Sequence, residues 1–221
     1  MRRWAACLIV SVILVPALTS PGWSQPGCPA NGMGCWGGGS TTSNLPQGSC
    51  NTGQSSAAYD AARGTVTAQV CCWLGGSGVR VEDDFVVSNL PPNTPLAFRA
   101  VLQIWLYCSS RNSFGGSDGN ATIIGPDGAS RTGSVSASGS QTSSQTNPLD
   151  LPIQAVAGQP FHVSYGAGAG VDEGGQAISQ GQLVFQDLPA GASIRSCHGF
   201  QQDLPVPARH VSWGGVKLLY R

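Results

Sequence analysis

Leu96-Ala97-Phe98-Arg99-Ala100-Val101-Leu102-Gln103-Ile104-Trp105-Leu106-Tyr107-Cys108 decides how this chain folds. Past the N-terminal leader, no other stretch is as long, as apolar or as rich in β-favouring side chains. Read with period two, Phe98, Ala100, Leu102, Ile104 and Leu106 fall on one face. Val101, Trp105 and Tyr107 fall on the other, with Arg99 and Gln103 among them. One wholly apolar face and one mixed face predict a central strand whose inner side meets a second sheet.

Composition widens that reading. The chain has 221 residues, long enough for one domain with a real core. It is 41% apolar and only 10% charged, against about 25% charged in an ordinary soluble domain. Thirty-one glycines, many serines and threonines and a single lysine predict an all-β extracellular module, in which turns consume glycine and exposed strand faces carry hydroxyls.

Working outward, Met1-Arg2-Arg3 and the apolar run Trp4 to Leu18 read as a secretory signal peptide over residues 1–24, cleaved after Ala17 or Ser24. The run is too short for a membrane span. Its removal leaves nine basic against eleven acidic residues, so no charge excess draws the mature chain to nucleic acid or anionic membrane. Secretion makes disulfides the expected state of Cys28, Cys35, Cys50, Cys71, Cys72, Cys108 and Cys197. Seven is odd, so one thiol stays free or joins two chains as a covalent dimer. The expected pairing joins Cys108 to Cys197 and ties the three N-terminal cysteines to Cys71 or Cys72. No Cys-x-x-Cys or His-x-x-x-His spacing marks a zinc site.

Residues 25–63 read as a Gly/Ser/Cys-rich coil held by disulfides or left as an arm. Strand signals run through 64–204, at about eight to ten strands. Gly75 to Gly78 and the loop around its three prolines, Asn89 to Pro95, separate the first of them. Ser130 to Ser144 reads as an edge strand, Leu151 to Val156 and Pro160 to Tyr165 as a hairpin around Ala157-Gly158-Gln159, and Gly166 to Gly175 as a mobile loop. The fold expected is a single β-sandwich or jelly-roll-like domain stapled by disulfides. Residues 205–221 form a short tail. Its bland reading is a packed terminal element; its sharper one is a sorting tag with Trp213, Val216 and Tyr220 on a helical stripe.

Val81-Glu82-Asp83-Asp84-Phe85-Val86-Val87, followed by the Pro-rich loop and the long aromatic strand, resembles bacterial secreted β-sandwich proteins of the choice-of-anchor type. In that type an Asp-Asp-Phe begins a core strand ahead of a variable C-terminal anchor. The resemblance covers the middle third of the chain. It implies a non-catalytic surface or matrix protein and carries over no catalytic residue. The chain departs from the usual Pro-Glu-Pro anchor, having Pro205-Val206-Pro207-Ala208-Arg209 instead.

Chemistry narrows the choices further. No Gly-x-Ser-x-Gly elbow and no Ser-x-x-Lys occurs, and His162, His198 and His210 stand in an apolar strand, beside an expected disulfide and in the tail. A hydrolase would need Glu82-Asp83-Asp84 and Asp172-Glu173 to converge, and ranks third. Calcium is the one cofactor these acids suit, with Asp83, Asp84, Asp172 and Glu173 as ligands beside Asp118 and Asn120; solvated turn acids are the plainer reading. Trp105, Tyr107 and Gln103 share one strand face and can form a glycan-stacking platform. A second strand laid over them would instead bury both rings, the commoner fate of Trp and Tyr in a β core. The expectation is a secreted or cell-surface, non-enzymatic structural or interaction module of a bacterium, with extracellular protein or glycan as partner. The alternative is a carbohydrate-binding module, with or without calcium.

Overall fold

A computed structural model describes residues 54–72, 74–110 and 115–203, and the backbone of 38–43. Residues 1–24, expected as a leader, residues 205–221, expected as a tail, and Cys28, Cys35 and Cys50 lie outside the described residues, as does the side chain of Cys72. Thirteen strands and no helix occur among the described residues. They are β1 (Gly38–Ser43), β2 (Gln54–Asp60), β3 (Thr65–Cys72), β4 (Gly75–Ser88), β5 (Pro95–Ser110), β6 (Gly116–Ile124), β7 (Ser130–Ser138), β8 (Thr142–Gln145), β9 (Leu149–Val156), β10 (Pro160–Asp172), β11 (Gly175–Gln186), β12 (Ser193–Ser196) and β13 (Gln201–Asp203).

They form two antiparallel sheets packed face to face as a β-sandwich. The first runs β13-β12-β4-β10-β6-β7, with β1 also paired to β4. The second runs β2-β3-β11-β5-β8, with β9 also paired to β5. The long strand β5 sits inside the second sheet as its alternation predicts. Leu96, Phe98, Ala100, Leu102, Ile104, Leu106 and Cys108 are buried, while Gln103 and Trp105 face outward. Asp83-Asp84-Phe85 lies in the middle of β4 rather than at its start.

The core is uneven along its length. At one end five rings from both sheets meet: Phe85, Phe98, Phe161, Phe185 and Phe200. Phe85 and Phe185 touch edge to face at 5.1 Å, and Phe85 and Phe200 at 5.5 Å. Such pairs contribute about 0.5–1.5 kcal/mol each beyond their burial. The other end is built from small side chains. Ala167, Ala169 and Val171 of β10 point inward, and Gly166, Gly168 and Gly170 alternate with them outward.

That alternation corrects two expectations. Gly166 to Gly175 is mostly strand, and Gly75 to Gly78 is not a turn but the start of β4. The two stretches pair with each other, Gly78 opposite Gly168 and Gly76 opposite Gly170. The chain reverses only at Glu173 and Gly174, where φ is 53° and 93°. A Cβ at Gly166 would lie 2.5 Å from the Val79 carbonyl oxygen, so glycine there lets two backbones approach closely.

Ala157-Gly158-Gln159 does turn the chain, but not into a hairpin. β9 pairs with β5 in the second sheet and β10 with β4 and β6 in the first, so the turn carries the chain between sheets. The Gly158 N–H donates to Val87 across that passage, at 2.9 Å. Within the segment expected to be coil, β1 pairs with β4 and β2 with β3, and Ala57 packs against the core. Ser130 to Ser138 does form the edge of the first sheet, but the expected strand does not run on to Ser144: from Thr142 the chain forms β8, paired with β5 in the second sheet.

The expected Cys108–Cys197 disulfide does not form. Cys108 faces the interior beside Gly119, its Sγ 3.6 Å from the Val135 carbonyl. Cys197 sits beyond β12, its N–H donating to Asp84. Gly119 lies opposite Ala169 and Asp84 opposite His162. Seven residues of β10 separate those points, roughly 23 Å at strand rise. A disulfide needs Cα atoms within about 7 Å.

Candidate functional site

The outer face of the second sheet is read from its register. Trp105 of β5 lies beside Gln180 of β11, and Gln180 beside Thr67 of β3. One rung along, Gln103, Gln182 and Thr65 stand in line. On the other side of Trp105 the rung holds Tyr107, Ile178 and Gln69. Period two puts all nine on one face, away from the core.

Trp105 is 40% exposed, which corrects the reading that another strand covers it. Its ring lies 6.2 Å from that of Tyr107, the two planes 17° apart. Next to them is a shallow depression of about 490 Å³, walled by Gln103 and Trp105 on one side and Thr65 and Thr67 on the other, with Gln180 and Gln182 between. Among the described residues, no side-chain hydrogen bond engages the amides of Gln103, Gln180 or Gln182. The nearest cation along β5, Arg99, is already held by Asp187 at 2.6 Å, Asp150 at 3.0 Å and Gln186 at 2.9 Å. The site is therefore a row of near-parallel rings beside uncharged, uncommitted donors and acceptors.

Gln180, Gln182, Thr65 and Thr67 were not singled out by the sequence reading. The usable signal was present: Gln176-x-Ile178-x-Gln180-x-Gln182 and Thr65-x-Thr67-x-Gln69 both alternate with period two. What places them beside Trp105 is the register of three strands far apart in sequence.

The acids do not assemble. Asp83 points into the sandwich and is fully buried, and Asp84 points out. Both sit opposite the Phe-rich end of β10, at Val163 and His162. Asp172 and Glu173 lie at the other end of β10, roughly 30 Å away at strand rise. The four expected calcium ligands thus form no common site, and the two acidic groups cannot act as a hydrolase pair. Asp118 and Asn120 line the outer face of β6, Asp118 one rung from Asp172.

Both histidines in this region have carboxylate partners. The Nδ1 of His198 lies 2.8 Å from Asp83 Oδ1, and that of His162 lies 2.9 Å from Asp84 Oδ1. Burial raises the Asp83 carboxyl above its ordinary range, with hydrogen bonds from Ser196 and His198 opposing the rise. Burial also pushes the Cys108 thiol up to about 11, which makes it a poor nucleophile. The Tyr165 hydroxyl is buried, and that burial likewise raises its pKa.

No family model and no curated protein matches this sequence. Among solved structures, the chain is similar to the carbohydrate-binding module TmCBM61, determined in complex with beta-1,4-galactotriose. The TM-score is 0.31 and the identity 9%, covering 66% of this chain and 87% of that one. A TM-score this low carries nothing over to the present chain.

Proposed function

We propose that this protein is a non-enzymatic, exported interaction module whose outer second-sheet face binds glycan. The observation that carries the reading is the exposed Trp105, near-parallel to Tyr107 and bordered by uncharged amides and hydroxyls. A sugar ring has an apolar face that stacks on aromatic rings and a rim of hydroxyls that pairs with amide donors and acceptors. The leader-like residues 1–24 support export, and the scattered acids support a role without catalysis. None of the nine residues lining the depression is a carboxylate, so this face needs no metal to bind.

A screen of the oxidised, leader-free protein against a polysaccharide panel tests the reading, run in calcium and again in chelator. The expected result is binding that survives chelation and is lost in Trp105→Ala, with the melting temperature unchanged. Binding that persists in Trp105→Ala, or no binding to any glycan, overturns it.

A further inference from the structure

The depression beside Trp105 has a direction. Its sides are two different strands: Gln103 and Trp105 of β5 and the hydroxyls of β3. Between them runs β11, whose outward side chains Gln180 and Gln182 form the floor. Neighbouring strands stand about 4.8 Å apart, so the walls are roughly 10 Å from each other. Along the strand the pattern repeats every second residue, about 6.7 Å, from Gln103 through Trp105 to Tyr107. The depression itself covers two such rungs, and Tyr107 continues the same face one rung beyond it, so the depression and the two rings together run about 13 Å along β5.

Its charge is equally directional. Asp60 lies beside Thr65 at one margin, and Asp150 stands opposite Val101 beyond Gln103. The cations near these margins, Arg63 and Arg99, already face Asp60 and Asp150 at 3.6 and 3.0 Å. Arg99 also holds Asp187, so among the described residues at these margins an anionic ligand would meet no uncommitted cation to receive it.

Building on the glycan reading, we infer that the ligand is a neutral, linear glycan lying lengthwise over β11, with at least two successive sugar rings against Trp105 and Tyr107. Gln180 and Gln182 read hydroxyls from below, and Thr67 contacts the edge of the chain opposite Trp105. Those three residues set specificity, whereas the rings supply most of the affinity.

Calorimetry with defined probes tests this: neutral β-1,4-linked gluco-, galacto- and xylo-oligosaccharides of increasing length, their monosaccharides, and oligogalacturonides as the charged counterpart. Affinity for a neutral series is expected to rise at least tenfold from the monosaccharide to the trisaccharide and then level off. Gln180→Ala and Gln182→Ala are each expected to weaken trisaccharide binding by about fivefold, the worth of one hydrogen bond, and to narrow the preference among the three series. Oligogalacturonides are expected to bind at least tenfold more weakly. If Trp105→Ala abolishes binding but both glutamine variants bind as wild type, the lengthwise placement is wrong while the glycan reading stands. Equal affinity for monosaccharide and trisaccharide, or for charged and neutral chains, overturns the inference in the same way. If no probe binds, or Trp105→Ala binds normally, the glycan reading itself has failed.

Discussion

The two outer faces of the sandwich differ in how they treat their polar groups. On the first sheet the outward groups around Arg80 and His162 answer one another. Asp84 meets His162, and Arg80 holds both Glu82 at 2.7 Å and the Ser164 hydroxyl at 3.0 Å. The middle of that face, along Gly166, Gly168 and Gly170 of β10, carries no side chains, and Asn120 and Asp118 lie against it. On the second sheet the outward groups around Trp105 are uncharged, and the amides of Gln103, Gln180 and Gln182 hold no internal partner among the described residues. A cluster whose charges are already paired has little left to offer a ligand. One whose amides and rings are uncommitted keeps its full hydrogen-bonding and stacking capacity for something else.

The sharpest way to break this contrast is Trp105→Ala. It is expected to cost about 2 kcal/mol of glycan affinity, near thirtyfold, because exposed aromatic anchors dominate such interfaces. Stability should hardly move, since the ring is 40% exposed. Titration with the best-binding oligosaccharide, beside a thermal melt, separates the two effects.

Gly166→Ala probes the other face and should give the opposite pattern. The new methyl would press on the Val79 carbonyl, costing about 1–3 kcal/mol of stability. Glycan affinity should stay at the wild-type value. Urea unfolding checks the first statement and titration the second; a loss of affinity would mean that the two faces are coupled.

Asp83→Asn sharpens the comparison from inside. The native carboxyl keeps its proton to higher pH than the unfolded chain, whose value is near 3.8. The unfolded state therefore loses that proton first as pH rises. Wild-type stability falls from the unfolded value up through the raised native one, and the penalty persists above it. Asparagine has no such proton to lose, so the melting temperature of the variant relative to wild type should rise across that window. A difference that stays flat with pH would show that His198 fully offsets the burial of the charge.

The smallest effect belongs to Arg80→Ala. Its ion pair with Glu82 is exposed on both sides, and such pairs contribute about 0–1 kcal/mol. Neither glycan affinity nor its salt dependence should change. A clear loss of binding would relocate the site to the first sheet.

Much of the fold is legible wherever period two is carried by contrasting side chains. In β5, Leu102, Ile104 and Leu106 turn inward while Gln103 and Trp105 turn outward, as the residue pattern requires. The reading failed where the contrast was between alanine and glycine. Gly166-Ala-Gly-Ala-Gly170 alternates as strictly as β5, but both residue types are small and glycine is the usual mark of a turn. The pairing of that stretch with Gly75 to Gly78 makes strand of both. The hairpin expected around Gly158 failed for another reason. A tight turn fixes a reversal of the chain, not which sheet receives the next strand.

The sequence alone determined that the described residues would be all-β, that β5 would be an interior strand with one face on the core, and that Trp105, Tyr107 and Gln103 would share a face. These follow from side-chain alternation, a local property of consecutive residues. Only the tertiary structure decided that this face stays open and that Thr65, Thr67, Gln180 and Gln182 border it. It alone separated Asp83 and Asp84 from Asp172 and Glu173, and Cys108 from Cys197. The physical reason is register: hydrogen bonds between strands remote in sequence decide which side chains become neighbours, and no local pattern encodes that choice.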